Sequence, residues 1–314
     1  MYKNIQKKAK LQQKPIDLSL EIRLLMEDLN VLTTVDSLRE WLNTNRGEEK
    51  LSLVPTMGAL HHGHMELVRS AFSYAEIVVV SIFVNPTQFN NEQDLNRYPR
   101  TLKQDIALLK TVGNVVVFAP TVGEMYPKDF TNLDLELGNL DKVMEGACRP
   151  GHFKGVLNVV YRLFEIVRPD YGIFGVKDFQ QLTIINFMNN SLDLGVTIIP
   201  CQTVREKSGL ASSSRNSLLS VSDLESATII IETLEFAKKI ASKHAPEKVL
   251  LMAKEHFSKG LLKLEYITIV HPDSLKEIKT WVPGSRMCIA AFCGGVRLID
   301  NIELVDNDGF LKNE

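Results

Sequence analysis

The chain lacks an excess of charge of either sign: 36 Lys plus Arg stand against 38 Asp plus Glu, a net charge of −2. This balance gives no electrostatic footing for bulk binding to nucleic acid or to an anionic membrane surface. Long apolar runs are also missing. The best, residues 77–84, has the length of one buried strand, far from the ~18 residues of a membrane span. Cysteine is scarce, and Cys148, Cys201, Cys288 and Cys293 include no C-x-x-C pair, which excludes a disulfide frame or a zinc knuckle and reads as reduced thiols. The chain's start has neither the apolar core of a signal peptide nor the Arg and Ser of a transit peptide. With no membrane, nucleic-acid or export signal, the expected location is cytoplasmic. G-x-G-x-x-G and H-E-x-x-H are both absent, which removes the main dinucleotide signature and the common zinc-protease motif.

What is present is a globular composition, 45% hydrophobic and 24% charged, which excludes disordered and collagen-like classes. The 314 residues amount to about two domains at ~150 residues each. Residues 1–30 open with five lysines in the first 14 positions and no acid. They are expected as a basic, mobile N-terminal extension, or as sequence upstream of a start at Met26.

From Val31 strands and helices alternate. Leu51–Pro55, Ile77–Val84, Val115–Phe118, Tyr171–Gly175 and Val196–Ile199 read as short strands apolar on both faces. Helical stripes fall between them, the strongest at Val156, Val159, Val160, Leu163, Phe164 and Val167, ended by Pro169. Such a series means an α/β fold: a Rossmann-like parallel sheet with helices on both faces, here residues 31–204. Its ligands sit beyond the carboxyl ends of the strands. Residues 205–314 read as a smaller C-terminal α+β domain. A long helix is expected from the capping box Ser222-x-x-Glu225 towards Lys243, then a second from Pro246, a strand at Leu264–Val270, and a hairpin turning at Gly294-Gly295.

Four segments carry candidate chemistry. The first is Pro55-Thr-Met-Gly-Ala-Leu-His-His-Gly-His64, between a strand and its helix. Gly58 and Gly63 have P-loop spacing, but His64-Met65 replaces the Lys-Ser/Thr that a Walker site needs. The remaining H-x-G-H places imidazoles at a helix N-terminus, where free N–H groups and the dipole already favour anions. Zinc held by His61 and His64, or a plain turn with surface histidines, are the other readings of those residues. The second, Phe83-Val-Asn-Pro-Thr-Gln-Phe89, sets the neutral amides of Asn85 and Gln88 at a strand end, suited to a small polar substrate or to an ordinary Asn-Pro turn. The third, Phe174-Gly-Val-Lys-Asp-Phe-Gln-Gln181, offers Lys177 to a phosphate and Asp178 to ribose hydroxyls or, more simply, to a helix cap. The fourth, Arg205 to Asn216, puts serines around glycine before Arg215, as a loop closing on a triphosphate or a flexible linker would.

Together with Tyr98-Pro-Arg-Thr101, Arg149-Pro-Gly-His-Phe153 and Ser213-Ser-Arg-Asn216, these segments resemble, in order, the motifs of the pantothenate synthetase (pantoate–β-alanine ligase) family, within the H-x-G-H nucleotidyltransferase superfamily. The resemblance spans about Val31 to Leu304. It implies an ATP-dependent ligase that condenses (R)-pantoate with β-alanine through a pantoyl adenylate, releasing AMP and pyrophosphate. ATP would be a substrate bringing Mg2+, and the chain a homodimer whose smaller domain acts as a lid. His64 is similar to the family's catalytic proton donor, His61 to its partner on the phosphates, and Lys177 to a third catalytic residue. Met57, Gly58, Ala59, Leu60, His61, His62, Gly63 and His64 resemble the first ATP-binding stretch. Gly175, Val176, Lys177 and Asp178 resemble the ribose- and phosphate-binding turn. Val204 is similar to the backbone contact for adenine, and Ser212, Ser213, Ser214 and Arg215 to the triphosphate loop. Gln88 and Gln181 resemble the substrate-binding glutamines. The resemblance gives no metal ligands; Asp105 is at most an outer-shell neighbour. Two positions depart from the family pattern: Val176 stands where glutamate is usual, and Ser212 where methionine is common. Another H-x-G-H nucleotidyltransferase and a non-catalytic nucleotide sensor are the competing readings.

Overall fold

The computed structural model describes residues 29–306; nearly all of the expected N-terminal extension, and residues 307–314, lie outside the described residues. The chain forms two compact units. The first comprises residue 29 to Glu136, Gly146–Gly175 and Ile184–Cys201; the second comprises Leu137–Glu145, Val176–Thr183 and residues 202–306.

In the first unit the strands are β1 (Asn30–Leu32), β2 (Leu51–Thr56), β3 (Ile77–Ile82), β4 (Val116–Phe118), β5 (Tyr171–Gly175) and β6 (Thr197–Cys201). They make one parallel sheet in the order β1-β4-β3-β2-β5-β6. One face carries Val54, Val78, Val80 and Val117 against Met65, Val68 and Ala71 of the helix His62–Phe72 and Ile106 and Leu109 of the helix Leu102–Lys110. Leu51, Leu53 and Val79 alternate to the opposite face and are equally buried. Burial on both faces is what the continuous apolar runs encode. The short β1 and the helix Val35–Asn45 were not singled out by the sequence pattern, since three residues are too few to show a period.

The chain steps from β2 through β3 to β4, then crosses to β5 and β6 on the other side of β2. Strand order therefore reverses between β2 and β5, the switch point at which ligands of open α/β sheets bind. The loop after β2 holds the H-x-G-H segment.

The second unit is built on an antiparallel sheet, β7 (Lys263–Val270), β8 (Arg286–Cys293) and β9 (Val296–Glu303), packed against the helices Ile229–Ala241 and Pro246–Phe257. The β8–β9 hairpin turns at Gly294 and Gly295, whose φ values of 53° and 79° are the left-handed pair that a tight two-residue turn demands. One element differs from expectation. The helix predicted from Ser222 is two helices, Val221–Ser226 and Ile229–Ala241. The capping box lies two residues earlier: the Ser220 hydroxyl accepts from Asp223 N at 3.1 Å, and Asp223 accepts from Ser220 N at 3.3 Å. The break follows from Thr228, whose hydroxyl donates to the Glu225 carbonyl at 2.8 Å and competes with the helical bond.

Candidate functional site

The loop leaving β2 is shaped by two left-handed residues, Gly58 at φ 77° and Ala59 at φ 51°. Such backbone is strained for alanine and persists only where its surroundings hold it. The holder is Asp105, from the first turn of Leu102–Lys110 and 2% exposed. Its carboxylate accepts from Ala59 N at 3.1 Å and Leu60 N at 2.8 Å, and the Thr101 hydroxyl donates to both its oxygens at 3.2 and 3.3 Å. Burial pushes the Asp105 carboxyl up from its ordinary value, outweighing these donors, which pull it down. A Cβ on Gly58 would lie 3.0 Å from that same carboxylate, so glycine is needed there for space as well as for φ. Thr56 anchors the loop's other side, donating to Ser81 O at 2.7 Å and accepting from Gly58 N at 3.2 Å.

The helix that follows begins with a capping box made of histidines. His61 Nδ1 accepts from Gly63 N at 3.1 Å, and His64 Nδ1 accepts from His61 N at 3.3 Å. The two rings lie 4.1 Å apart, tilted by 52°. Because each Nδ1 is an acceptor, the neutral ring carries its proton on Nε2. Two imidazoles of fixed tautomer are thus held over the positive end of a helix dipole, a geometry that suits developing phosphate charge. His62 points elsewhere. It is exposed and faces Glu66, with Nε2 3.6 Å from its carboxylate. Among the described residues no group of three or more His, Cys, Asp or Glu could hold a metal ion.

Gln88 sits in the 3-10 turn Pro86–Gln88 beyond β3, 8% exposed. Its Nε2 donates to Met57 Sδ at 2.8 Å, which joins the turn to the H-x-G-H loop. Its Oε1 accepts from Asn85 Nδ2 at 3.1 Å. Asn85 is the buried hub: Nδ2 also donates to Gly155 O at 3.0 Å, while Oδ1 accepts from Thr87 N, the Thr87 hydroxyl and, at 2.8 Å, the Tyr126 hydroxyl. Burial raises the Tyr126 phenol further, so it stays a neutral donor. The Arg149-Pro-Gly-His-Phe153 motif buttresses the turn from behind. His152 Nδ1 lies 2.8 Å from Gln88 O and its Nε2 lies 3.2 Å from an Arg149 nitrogen. Arg149 can only donate, so the proton of the neutral ring is on Nδ1, donating to Gln88 O.

Gly155 lets the helix His152–Val167 approach this turn. A Cβ there would fall 2.5 Å from Thr87 O and 2.6 Å from Gln88 N, both backbone atoms that cannot swing aside. Gly155→Ala is therefore expected to cost about 1–3 kcal/mol of overpacking, read as a lower thermal midpoint. A midpoint equal to that of the unmodified chain would contradict this packing.

In the second unit, Val176, Lys177 and Asp178 form a 3-10 turn leading into the helix Phe179–Ser191. Val176 is buried, Lys177 half-buried and Asp178 exposed. The amide of Asn301 on β9 donates to Val176 O at 3.0 Å and Lys177 O at 2.9 Å. Of the two glutamines that follow, Gln180 is structural, bonding to Glu145 N, Leu140 O and Val143 O; Gln181 is half-buried. The serine loop is tied at its base by the Arg205–Ala211 bridge and by Ser212 N donating to Val204 O at 2.9 Å. The Ser212 hydroxyl donates to Glu206 at 2.5 Å, which occupies the side chain where the sequence departs from the family pattern. Ser213 caps Arg215 N at 3.3 Å, so Ser214 and Arg215 open the short 3-10 turn Ser214–Leu218.

Each candidate residue thus has a place. Met57 to His64 and Gln88 gather at strand ends of the first unit, with Gly175 ending β5 there, while Val176 to Asp178, Gln181, Val204 and Ser212 to Arg215 belong to the second. The residues missed by sequence reasoning are those that hold the loops: Thr56, Asp105, Tyr126, Gly155 and Asn301. Of these only Asp105 was named from the sequence, as at most an outer-shell neighbour of magnesium and not as the clamp of the loop.

Comparison with known proteins places this geometry. A family model described as pantoate-beta-alanine ligase matches residues 30–303. A relative named pantothenate synthetase from Bacteroides thetaiotaomicron is 45% identical over 279 residues, covering 88% of this chain and 99% of the relative. One of the same name from Porphyromonas gingivalis is 44% identical over 282 residues, covering 88% and 100%. Among solved structures, pantothenate synthetase from Thermus thermophilus superposes with a TM-score of 0.83 at 41% identity, covering 88% of this chain and 99% of the other. Pantoate-beta-alanine ligase from Francisella tularensis, complexed with beta-gamma ATP and β-alanine, gives a TM-score of 0.72 at 34% identity, covering 88% and 98%.

Proposed function

The chain belongs to the pantoate–β-alanine ligase family, and on that premise we propose how its residues join (R)-pantoate to β-alanine at the expense of ATP. The chemistry is a two-step condensation. A pantoate carboxylate oxygen attacks the α-phosphorus of ATP, the bond to the bridging oxygen breaks, and pyrophosphate leaves with its electron pair. The β-alanine amine then attacks the acyl carbon of the adenylate, loses a proton, and AMP departs. Activation is needed because a carboxylate is a poor acyl donor.

The observation that carries this reading is the histidine capping box. His61 and His64 keep their protons on Nε2, the tautomer that donates to phosphate oxygens as charge builds on them. His64 is assigned the proton donor's role and His61 the partner's. Backbone N–H groups of the helix start add a fixed positive field. Met57, Gly58, Ala59, Leu60 and Gly63 bring the backbone close to the nucleotide, a role that the held, left-handed loop supports. Gln88, oriented through Asn85, is assigned to pantoate and β-alanine, and Gln181 to pantoate. Gly175, at the end of β5 in the first unit, and Val176 to Asp178 with Val204 in the second are assigned to ribose, adenine and phosphate contacts, and Ser212 to Arg215 of the second unit to the triphosphate, Lys177 and Arg215 supplying the positive charge. Magnesium is read as part of the substrate, arriving on the ATP phosphates.

No helix of the described residues is long and apolar enough to cross a membrane. A homodimer, on family resemblance, and a cytoplasmic location complete the proposal. The first step is tested by ATP–pyrophosphate exchange without β-alanine. Exchange that requires pantoate is expected, because the adenylate forms reversibly before the amine enters. Exchange that is absent without β-alanine, or indifferent to pantoate, would count against an adenylate.

A further inference from the structure

Two neighbouring residues of β9, Asp300 and Asn301, hold the two segments of the second unit assigned above to ATP. Successive residues of a strand face opposite ways, so this pair reaches one segment on each side of the strand. Asn301 is 4% exposed and its side chain is fully engaged. Both Nδ2 protons go to the carbonyls of Val176 and Lys177, and Oδ1 accepts from Arg286 at 2.8 Å. Asp300, 3% exposed, takes a forked pair from Arg205, at 2.6 and 3.2 Å, and receives Asn301 N at 2.8 Å. Arg205 in turn donates to Gly209 O at 3.0 Å, closing the base of the serine loop. A buried carboxylate needs such a partner, and a buried amide with three satisfied bonds admits only one orientation.

We infer that Asn301 and Asp300 are positioning residues for the adenylation step: Asn301 fixes the backbone from which Lys177 projects, and Asp300, through Arg205, fixes the base of the serine loop that carries Arg215. This inference rests on the reading of Lys177 as a phosphate contact. Neither residue touches the reacting atoms, and their effect is transmitted through the backbone. A donor displaced by about 1 Å can lower a rate about 10²-fold, which sets the scale to expect.

The test is a double-mutant cycle on pantoate-dependent ATP–pyrophosphate exchange. Asn301→Ala and Lys177→Ala are each expected to lower exchange at least about tenfold, and the double variant to be no slower than Lys177→Ala alone. Asn301→Asp is the second variant. It keeps the volume and the oxygen that Arg286 donates to, replaces the two N–H donors by a second carboxylate oxygen that the carbonyls of Val176 and Lys177 repel, and sets its added charge against Arg286, so it reads the same effect should the alanine variant not fold. Full activity in Asn301→Asp, or losses that multiply in the double variant, would overturn the positioning role while leaving the family reading intact. Full activity in Lys177→Ala would overturn the assignment of Lys177 itself, and the positioning role with it.

Discussion

Replacing His64 with alanine is expected to lower pantoate-dependent ATP–pyrophosphate exchange by about 10²- to 10³-fold, the loss typical of one preorganised donor. The chain should remain folded. His64 Nδ1 accepts the His61 amide in the capping box, and losing a cap costs about 1 kcal/mol, small beside the stability of a domain. His64→Asn separates the two functions of the ring, since its amide oxygen can restore the cap but lacks the imidazole's proton-donor role. Recovered thermal stability without recovered exchange is the expected pattern. Near-normal exchange in His64→Ala would remove His64 from the chemistry and leave it a helix cap.

Asp105→Asn should have the second largest effect, through the loop and not through contact with substrate. The carboxylate accepts two backbone N–H groups and a hydroxyl. An amide oriented to accept Leu60 N turns its own N–H groups towards Ala59 N, leaving a buried donor unpaired at about 1–3 kcal/mol. The left-handed Gly58–Ala59 backbone then loses its clamp, and exchange is expected to fall at least about tenfold, as misplaced catalytic groups do. The pH dependence carries a further sign. The folded chain raises the Asp105 pKa above its ordinary 3.8, so between those two values the folded state holds more proton than the unfolded one. Its contribution is therefore most favourable below the unfolded value and is lost as pH rises through the folded one. Denaturant melts of Asp105→Asn across that acidic window should lack this component relative to the unmodified chain. Identical pH slopes in the two would contradict a buried, proton-retaining Asp105.

Much of the fold was legible because the strands are β-branched runs with no polar alternation, a pattern that only a parallel sheet covered on both faces accommodates. Tyr171–Gly175 emerged with the expected bounds, and the hairpin at Gly294-Gly295 followed from turn chemistry alone. The start of the helix after Leu219 was misplaced because two capping boxes, Ser220-x-x-Asp223 and Ser222-x-x-Glu225, are spelled two residues apart. Local spelling cannot choose between them; in the structure the Ser220 box is the one that forms. At the candidate site the histidines and glutamines were legible from their motif, whereas their supports were not. Asp105 lies 46 residues from Ala59 along the chain, and Gly155 and Asn301 gain their meaning from carbonyls at positions 87 and 176. Nothing at a distance in sequence announces that a glycine is small for the sake of a remote backbone oxygen.

The most direct measurement is the product balance of the purified chain with MgATP, (R)-pantoate and β-alanine, each omitted in turn, following pyrophosphate, AMP and pantothenate. Equal amounts of all three products, with pantothenate and AMP requiring all three substrates, is the predicted result. Pyrophosphate released at the same rate without pantoate or β-alanine, or ATP bound with no turnover, would contradict it.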